Sequence, residues 1–165
     1  MKKHQAGFTL VELVTVIIII GILAVNVLPK FSGSSSFEAY SYRVQLISAL
    51  RLTQQRAMQQ TNSATNYCHQ IVFDDEKSRY GVPDRTDCDV IAFPSSWQPD
   101  ASGLVVEDNH QVTFEIDGVT NPSRVRFDSM GRPLADCAGG CIINVIGNDE
   151  TVMIEIESEG YIHAR

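Results

Sequence analysis

Apolar residues are spread along this chain in two unlike ways. Residues 13–25 read LVTVIIIIGILAV, with Thr15 as the one polar side chain. Widened to residues 8–28, the run is 21 residues long and its polar members are Thr9, Glu12, Thr15 and Asn26. A helix needs about 20 mainly apolar residues to cross a bilayer, so this run predicts a membrane-spanning helix. Beyond Pro29 the chain is polar and mixed. Residues 31–36 read FSGSSS, a helix-breaking stretch, and Ser35-Ser36-Phe37-Glu38 fits the S-x-x-E capping box. Phe37, Tyr40, Val44, Ile47, Leu50 and Met58 then recur at mostly helical spacings among arginines and glutamines. This predicts a helix over 36–61 whose apolar stripe packs on a sheet, with Phe37, Tyr40 and Met58 as core residues.

From there on the period changes. Strands are predicted at 69–73, 79–82, 104–106, 111–116, 124–127, 142–146, 151–156 and 161–164, with alternation clearest in Val112/Phe114/Ile116 and Val152/Ile154/Ile156. Asp74-Asp75-Glu76-Lys77 and Gly147-Asn148-Asp149 read as hairpin turns. The pattern predicts an α+β fold, in which a long N-terminal helix, transmembrane and then amphipathic, packs on a C-terminal β-rich head.

Charge gives this helix an orientation. Lys2 and Lys3 precede the apolar run, which keeps the short head of the chain cytoplasmic and sends the remainder across the membrane. All four cysteines, Cys68, Cys88, Cys137 and Cys141, fall in the exported part, where disulfides form. The formal net charge of −7 excludes attraction to nucleic acid by the overall field. The tail, residues 157–165, has one arginine against two glutamates and lacks the cationic cluster that phosphate contacts need. Glu12 is out of place in a signal-peptide core or a plain anchor, because an ionisable side chain inside a span is costly and is read as functional by default.

The segment GFTLVELVTVIIIIGILAVNVLP, residues 7–29, strongly resembles the class III signal of type IV pilins and of type II secretion pseudopilins. The resemblance implies a prepilin peptidase that cuts between Gly7 and Phe8 and N-methylates Phe8. It also implies four segments: a leader 1–7, a transmembrane and assembly helix 8–28, an amphipathic helix 29–61 and a periplasmic or extracellular head 62–165. Gly7 has no side chain to obstruct a protease at the backbone. Glu12 lies one helical turn after Phe8, on the same face. In a filament it can pair with the N-terminal amine of a neighbouring subunit; breaking such a buried pair costs about 3–5 kcal/mol. Gly21 and Pro29 weaken the helix by about 1 and 3 kcal/mol relative to alanine.

Residues 124–133 (RVRFDSMGRP) and 154–160 (IEIESEG) resemble the head shared by GspH-like pseudopilins and FimT/FimU-like minor pilins. With residues 51–58 (RLTQQRAM) and four cysteines in the head, the chain is similar to minor pilins of mannose-sensitive haemagglutinin (MSHA) pili. The resemblance implies a structural subunit for pilus assembly and surface adhesion. Its implied partners are the prepilin peptidase, other major and minor pilins, and the inner membrane before assembly. A GspH-like pseudopilin of type II secretion is the alternative within the family, and a membrane-anchored binding module that never polymerises is the alternative outside it.

Catalytic chemistry is not indicated: no nucleophile elbow, zincin motif or P-loop is present, and no cofactor is implied. His4, His69, His110 and His163 have no partner at metal-ligand spacing, Cys137 and Cys141 lack a second cysteine pair for zinc, and Asp84, Asp87 and Asp89 lack an EF-hand glycine and glutamate. Trp97, in a proline-flanked loop, is either exposed for adhesion or folded back onto the head. Four cysteines allow three pairings. Cys68 and Cys88 flank the hairpin at 74–77, and Gly139-Gly140 permits a tight ring, so Cys68–Cys88 and Cys137–Cys141 are expected; the rival pairings remain open.

Overall fold

The computed structural model describes residues 9–31, 35–60, 67–107 and 110–165, with the side chains of 25–31 and 35–36 outside the description. The chain divides into two compact units, Met1–Ser34 and Ser35–Arg165. Helix α1 (Leu10–Phe31) belongs to the first. The second begins with helix α2 (Ser35–Gln59) and continues as strands β1 (Gln70–Asp74), β2 (Arg79–Gly81), β3 (Leu104–Val105), β4 (Thr113–Ile116), β5 (Ser123–Phe127), β6 (Pro133–Ala135), β7 (Gly140–Ile146), β8 (Thr151–Glu157) and β9 (Ile162–Ala164). This is an α+β fold.

The strands form two antiparallel sheets, ordered β3-β2-β1-β5-β6 and β4-β7-β8-β9. Helix α2 lies on both, against β1 and β5 of the first and β7, β8 and β9 of the second. The alternating strands supply the core from one face each: Ile71 and Phe73 opposite Val125 and Ser123, and Ile143 and Val145 opposite Ile154 and Val152. The aromatic centre is Tyr80, set edge-on to Phe114 with ring centroids 5.0 Å apart. Burial pushes its phenol far above the usual tyrosine range, so it stays neutral.

The helix face that enters this core is the expected one only in part: Leu50 is buried and Ile47 packs against the core, as the spacing predicts. Phe37, Tyr40, Val44 and Met58 are exposed, Phe37 by 79%, and the buried face is Ala39, Leu46, Ala49, Leu50, Thr53 and Ala57. Small side chains let the helix backbone approach two sheets at once, which the aromatic stripe is too large to allow. Tyr40 instead donates its hydroxyl to Glu150 at 2.7 Å, in the turn between β7 and β8. The capping box at Ser35 rests on side chains outside the described residues; Glu38 reaches His110 Nδ1 at 2.8 Å.

β1 is buried on both faces. The outer face meets the excursion between β2 and β3, which crosses back over the strand. Cys88 in that excursion is bonded to Cys68 (Cα–Cα 5.2 Å), the Cys68 amide donates to Arg85 O at 2.8 Å, and Arg124 Nη1 donates to Cys88 O at 2.5 Å. Cys137 and Cys141 are joined within the turn leading into β7 (Cα–Cα 5.0 Å).

Cys68–Cys88 closes the longer loop, with a sequence separation of 20 against 4. Replacing both Cys68 and Cys88 with serine should lower the stability of the head by about 3 kcal/mol, on the chain-entropy account. The Cys137→Ser/Cys141→Ser pair should lower it less. Denaturant unfolding of the three proteins checks the order, and equal midpoints for the two variants would refute it.

Candidate functional site

Helix α1 starts at a built cap. The Thr9 hydroxyl accepts the Glu12 amide at 3.2 Å, and the Thr9 carbonyl accepts the Leu13 amide at 3.2 Å. Thr9-Leu-Val-Glu12 is thus the start of a capping box, with a carboxylate in the first turn where the helix dipole favours it. Glu12 therefore has a local role in starting the helix besides the assembly role the sequence implies. Its backbone carbonyl also accepts the Thr15 hydroxyl at 2.8 Å, so the threonine hydroxyls on either side of Glu12 are both bonded within the helix.

Every side chain from 9 to 23 is exposed, Leu10 by 81% and Ile22 by 61%. An apolar surface on all sides of a helix is stable only when lipid or other helices cover it. Among the described residues no helix is long and apolar enough to cross a membrane. The described side chains of the first unit end at Ala24; at 1.5 Å per residue, 9–24 spans about 24 Å, short of the roughly 30 Å of bilayer hydrocarbon. The helix backbone continues to Phe31. It passes through Gly21 and Pro29 without interruption, and a Cβ at Gly21 would meet nothing within 4 Å. Gly7 and Phe8 lie outside the described residues.

The head holds the other candidates apart from one another. Trp97 is folded back: its Nε1 donates to Val82 O at 2.8 Å and its ring meets Phe93 at 4.6 Å. The ring also fills the space over Gly103, where a Cβ would come within 3.1 Å of it. The indole therefore pins the excursion to β2. Asp84 accepts the amide and hydroxyl of Thr86 and the amide of Asp87, and Asp87 accepts the amide of Asp89. These bonds, those from Thr86 first, hold the Asp84 carboxyl below the usual range. They are turn-forming contacts. Among the described residues no group of three or more His, Cys, Asp or Glu is placed to hold a metal ion. His163 lies 3.3 Å from Glu157, and His69 bonds Gln60.

Two groupings have no signal in the sequence. Gln54 Nε2 donates to Gly131 O at 2.7 Å and to Gly160 O at 2.6 Å. Arg56 and Arg85 converge on Asp100, the second through a short ion pair. The carboxyl of Asp100 is pushed up by burial, but the Ser102 hydrogen bonds and the two guanidinium charges outweigh this and hold it below the usual range.

Residues 2–25 match the family described as Prokaryotic N-terminal methylation motif. No curated protein and no solved structure matches the chain. The chain therefore carries a prepilin-type signal, and the match ends inside α1, leaving the head to be read from its own geometry.

The head has a titration that can be followed. Burial, and then the Arg56 charge, hold the His69 imidazole below its usual 6.5. The unfolded chain then takes up this proton first as pH falls. The associated stability is complete above about pH 6.5 and declines below it. The low Asp84, Asp100 and Asp128 carboxyls act in a separate, more acidic window, below their usual 3.8. The denaturant midpoint should fall between pH 7.5 and 5, and fall less in His69→Gln. The same slope in both proteins would contradict the assignment.

Proposed function

We propose that this chain is a minor type IV pilin of the MSHA kind, a non-enzymatic structural subunit. In this reading prepilin peptidase cuts between Gly7 and Phe8 and methylates Phe8. Residues 8–28 hold the subunit in the inner membrane, with the cytoplasmic end at Lys2 and Lys3 and the head periplasmic. The same helix then leaves the lipid for a filament of major and minor pilins, where the head serves assembly and adhesion at the surface. The observation that carries the reading is the methylation-motif match over residues 2–25 on a helix that is apolar and exposed on every side.

The cap supports the site of cleavage. Thr9 lies on the mature side of the proposed cut, so the peptidase removes the leader and leaves the start of α1 intact. Glu12 supports assembly. In a packed filament its carboxylate and the amine of a neighbouring subunit are each costly alone and stable together. Gly21 and Pro29 mark where the helix yields most easily on moving from lipid to filament.

Mass spectrometry of the mature protein should find N-methylated Phe8 at the N-terminus. An intact Met1, or a cut beyond the apolar run, would overturn the pilin reading. A second experiment addresses incorporation. Glu12→Ala should insert in the membrane normally and reach sheared pili at least 10-fold less than the wild type. Normal incorporation of Glu12→Ala would remove Glu12 from assembly, and absence of the wild-type chain from pili would leave a membrane-anchored binding module that never polymerises. Loss of protein secretion with unchanged pili would favour a GspH-like pseudopilin.

A further inference from the structure

Where the end of α2 meets the entrance to β1, a pocket of about 420 Å³ is lined by Arg56, Gln59, Gln60, Tyr67, His69 and Arg85. The chain is acidic overall, yet among the described residues the lining has two guanidinium groups and no carboxylate. We propose that this pocket binds an oxyanion, a carboxylate or a phosphate. This inference is independent of the filament reading.

The charges around the pocket set its sign. Asp100 is the one carboxylate the two arginines contact among the described residues, and both share it. Asp100 also accepts the Ser102 amide at 3.0 Å and hydroxyl at 2.8 Å, so its lone pairs are engaged away from a ligand. The carbonyls ending α2 add roughly half a negative charge. Two guanidinium charges still exceed Asp100 and the helix end together.

The donors are available in the right form. Among the described residues Arg56 makes long contacts only, 3.4 Å to Ser102 Oγ and 3.7 Å to Asp100, both through Nη1. Its Nε and Nη2 have no acceptor among the described residues. A planar guanidinium presenting the two hydrogens of one edge is suited to the paired oxygens of a carboxylate or phosphate. Arg85 is held in place by the Tyr67 ring, 5.8 Å from its centroid, and donates Nη1–H to the Tyr67 oxygen at 2.6 Å. That oxygen accepts from Arg85, which leaves the phenolic hydrogen to donate to a ligand. Tyr67 in turn is set by its contact with His69, ring centroids 5.4 Å apart.

The test uses the full chain in detergent micelles, at constant ionic strength with chloride as the background anion. Calorimetric titrations are run with inorganic phosphate and with triglutamate. Saturable binding of at least one is expected, weakened 10-fold or more in Arg56→Gln and Arg85→Gln. Arg56→Lys, which keeps the charge and loses the fork, should recover part of the affinity. Arg165→Gln, which removes a cation outside the pocket, should bind as the wild type does. Thermal unfolding of each variant separates lost binding from lost fold. Binding of phosphate alone assigns a free or ester phosphate as ligand, and binding of triglutamate alone assigns an acidic polypeptide. No saturable binding of either, equal affinity in Arg56→Gln, or equal loss in Arg165→Gln would overturn the proposal.

Discussion

The side-chain amide of Gln54 has two hydrogens, and each goes to a carbonyl in a different sheet. Gly131 O, in the turn between β5 and β6, takes one, and Gly160 O, in the turn between β8 and β9, takes the other. A helix packed on two sheets has no intrinsic reason to hold both at one depth, because apolar contact has no direction. A pair of hydrogen bonds has direction. Both turns require glycine at this point, with φ of +79° and +93°, and a Cβ at Gly131 would come within 2.9 Å of Met58 Sδ. The placement of α2, the meeting of the two sheets and the composition of the two turns therefore form one constraint.

The first unit is organised by the opposite condition. Helix α1 has a cap, a carboxylate in its first turn and an apolar surface exposed on every side from 9 to 23, with nothing among the described residues of its unit to bury that surface. The head has its own core, since most of its buried apolar residues form one cluster around α2 and the sheets. The chain thus joins a part that is complete in itself to a part that is stable only in contact with something else. That division suits the membrane-held, assembling subunit proposed above.

Period alone was enough to read most of the architecture. The alternation Val152/Ile154/Ile156 places those side chains on the inner face of β8, and the helical spacing after FSGSSS marks α2 to within two residues of its observed end. β6 was missed because it is three residues long and starts at Pro133, which has no amide to donate and is tolerated only at a sheet edge. Leu50 and Ile47 of the predicted stripe of α2 do face the core, but Phe37, Tyr40, Val44 and Met58 do not, because alanines at 39, 49 and 57 are what fit between helix and sheets. The grouping of Arg56, Arg85 and Asp100 has no spacing to read, since a helix, a loop and a second bend of that loop bring it together.

The Cys68–Cys88 bond has a mechanical consequence. If tension is applied along the backbone, the covalent link carries it past the hairpin of β1 and β2, and the sequence separation of 20 is never drawn out. At about 3.3–3.6 Å per extended residue, roughly 70 Å of contour length is withheld from stretching. The strand at the middle of the first sheet therefore lies inside a covalently closed segment that an external pull does not lengthen.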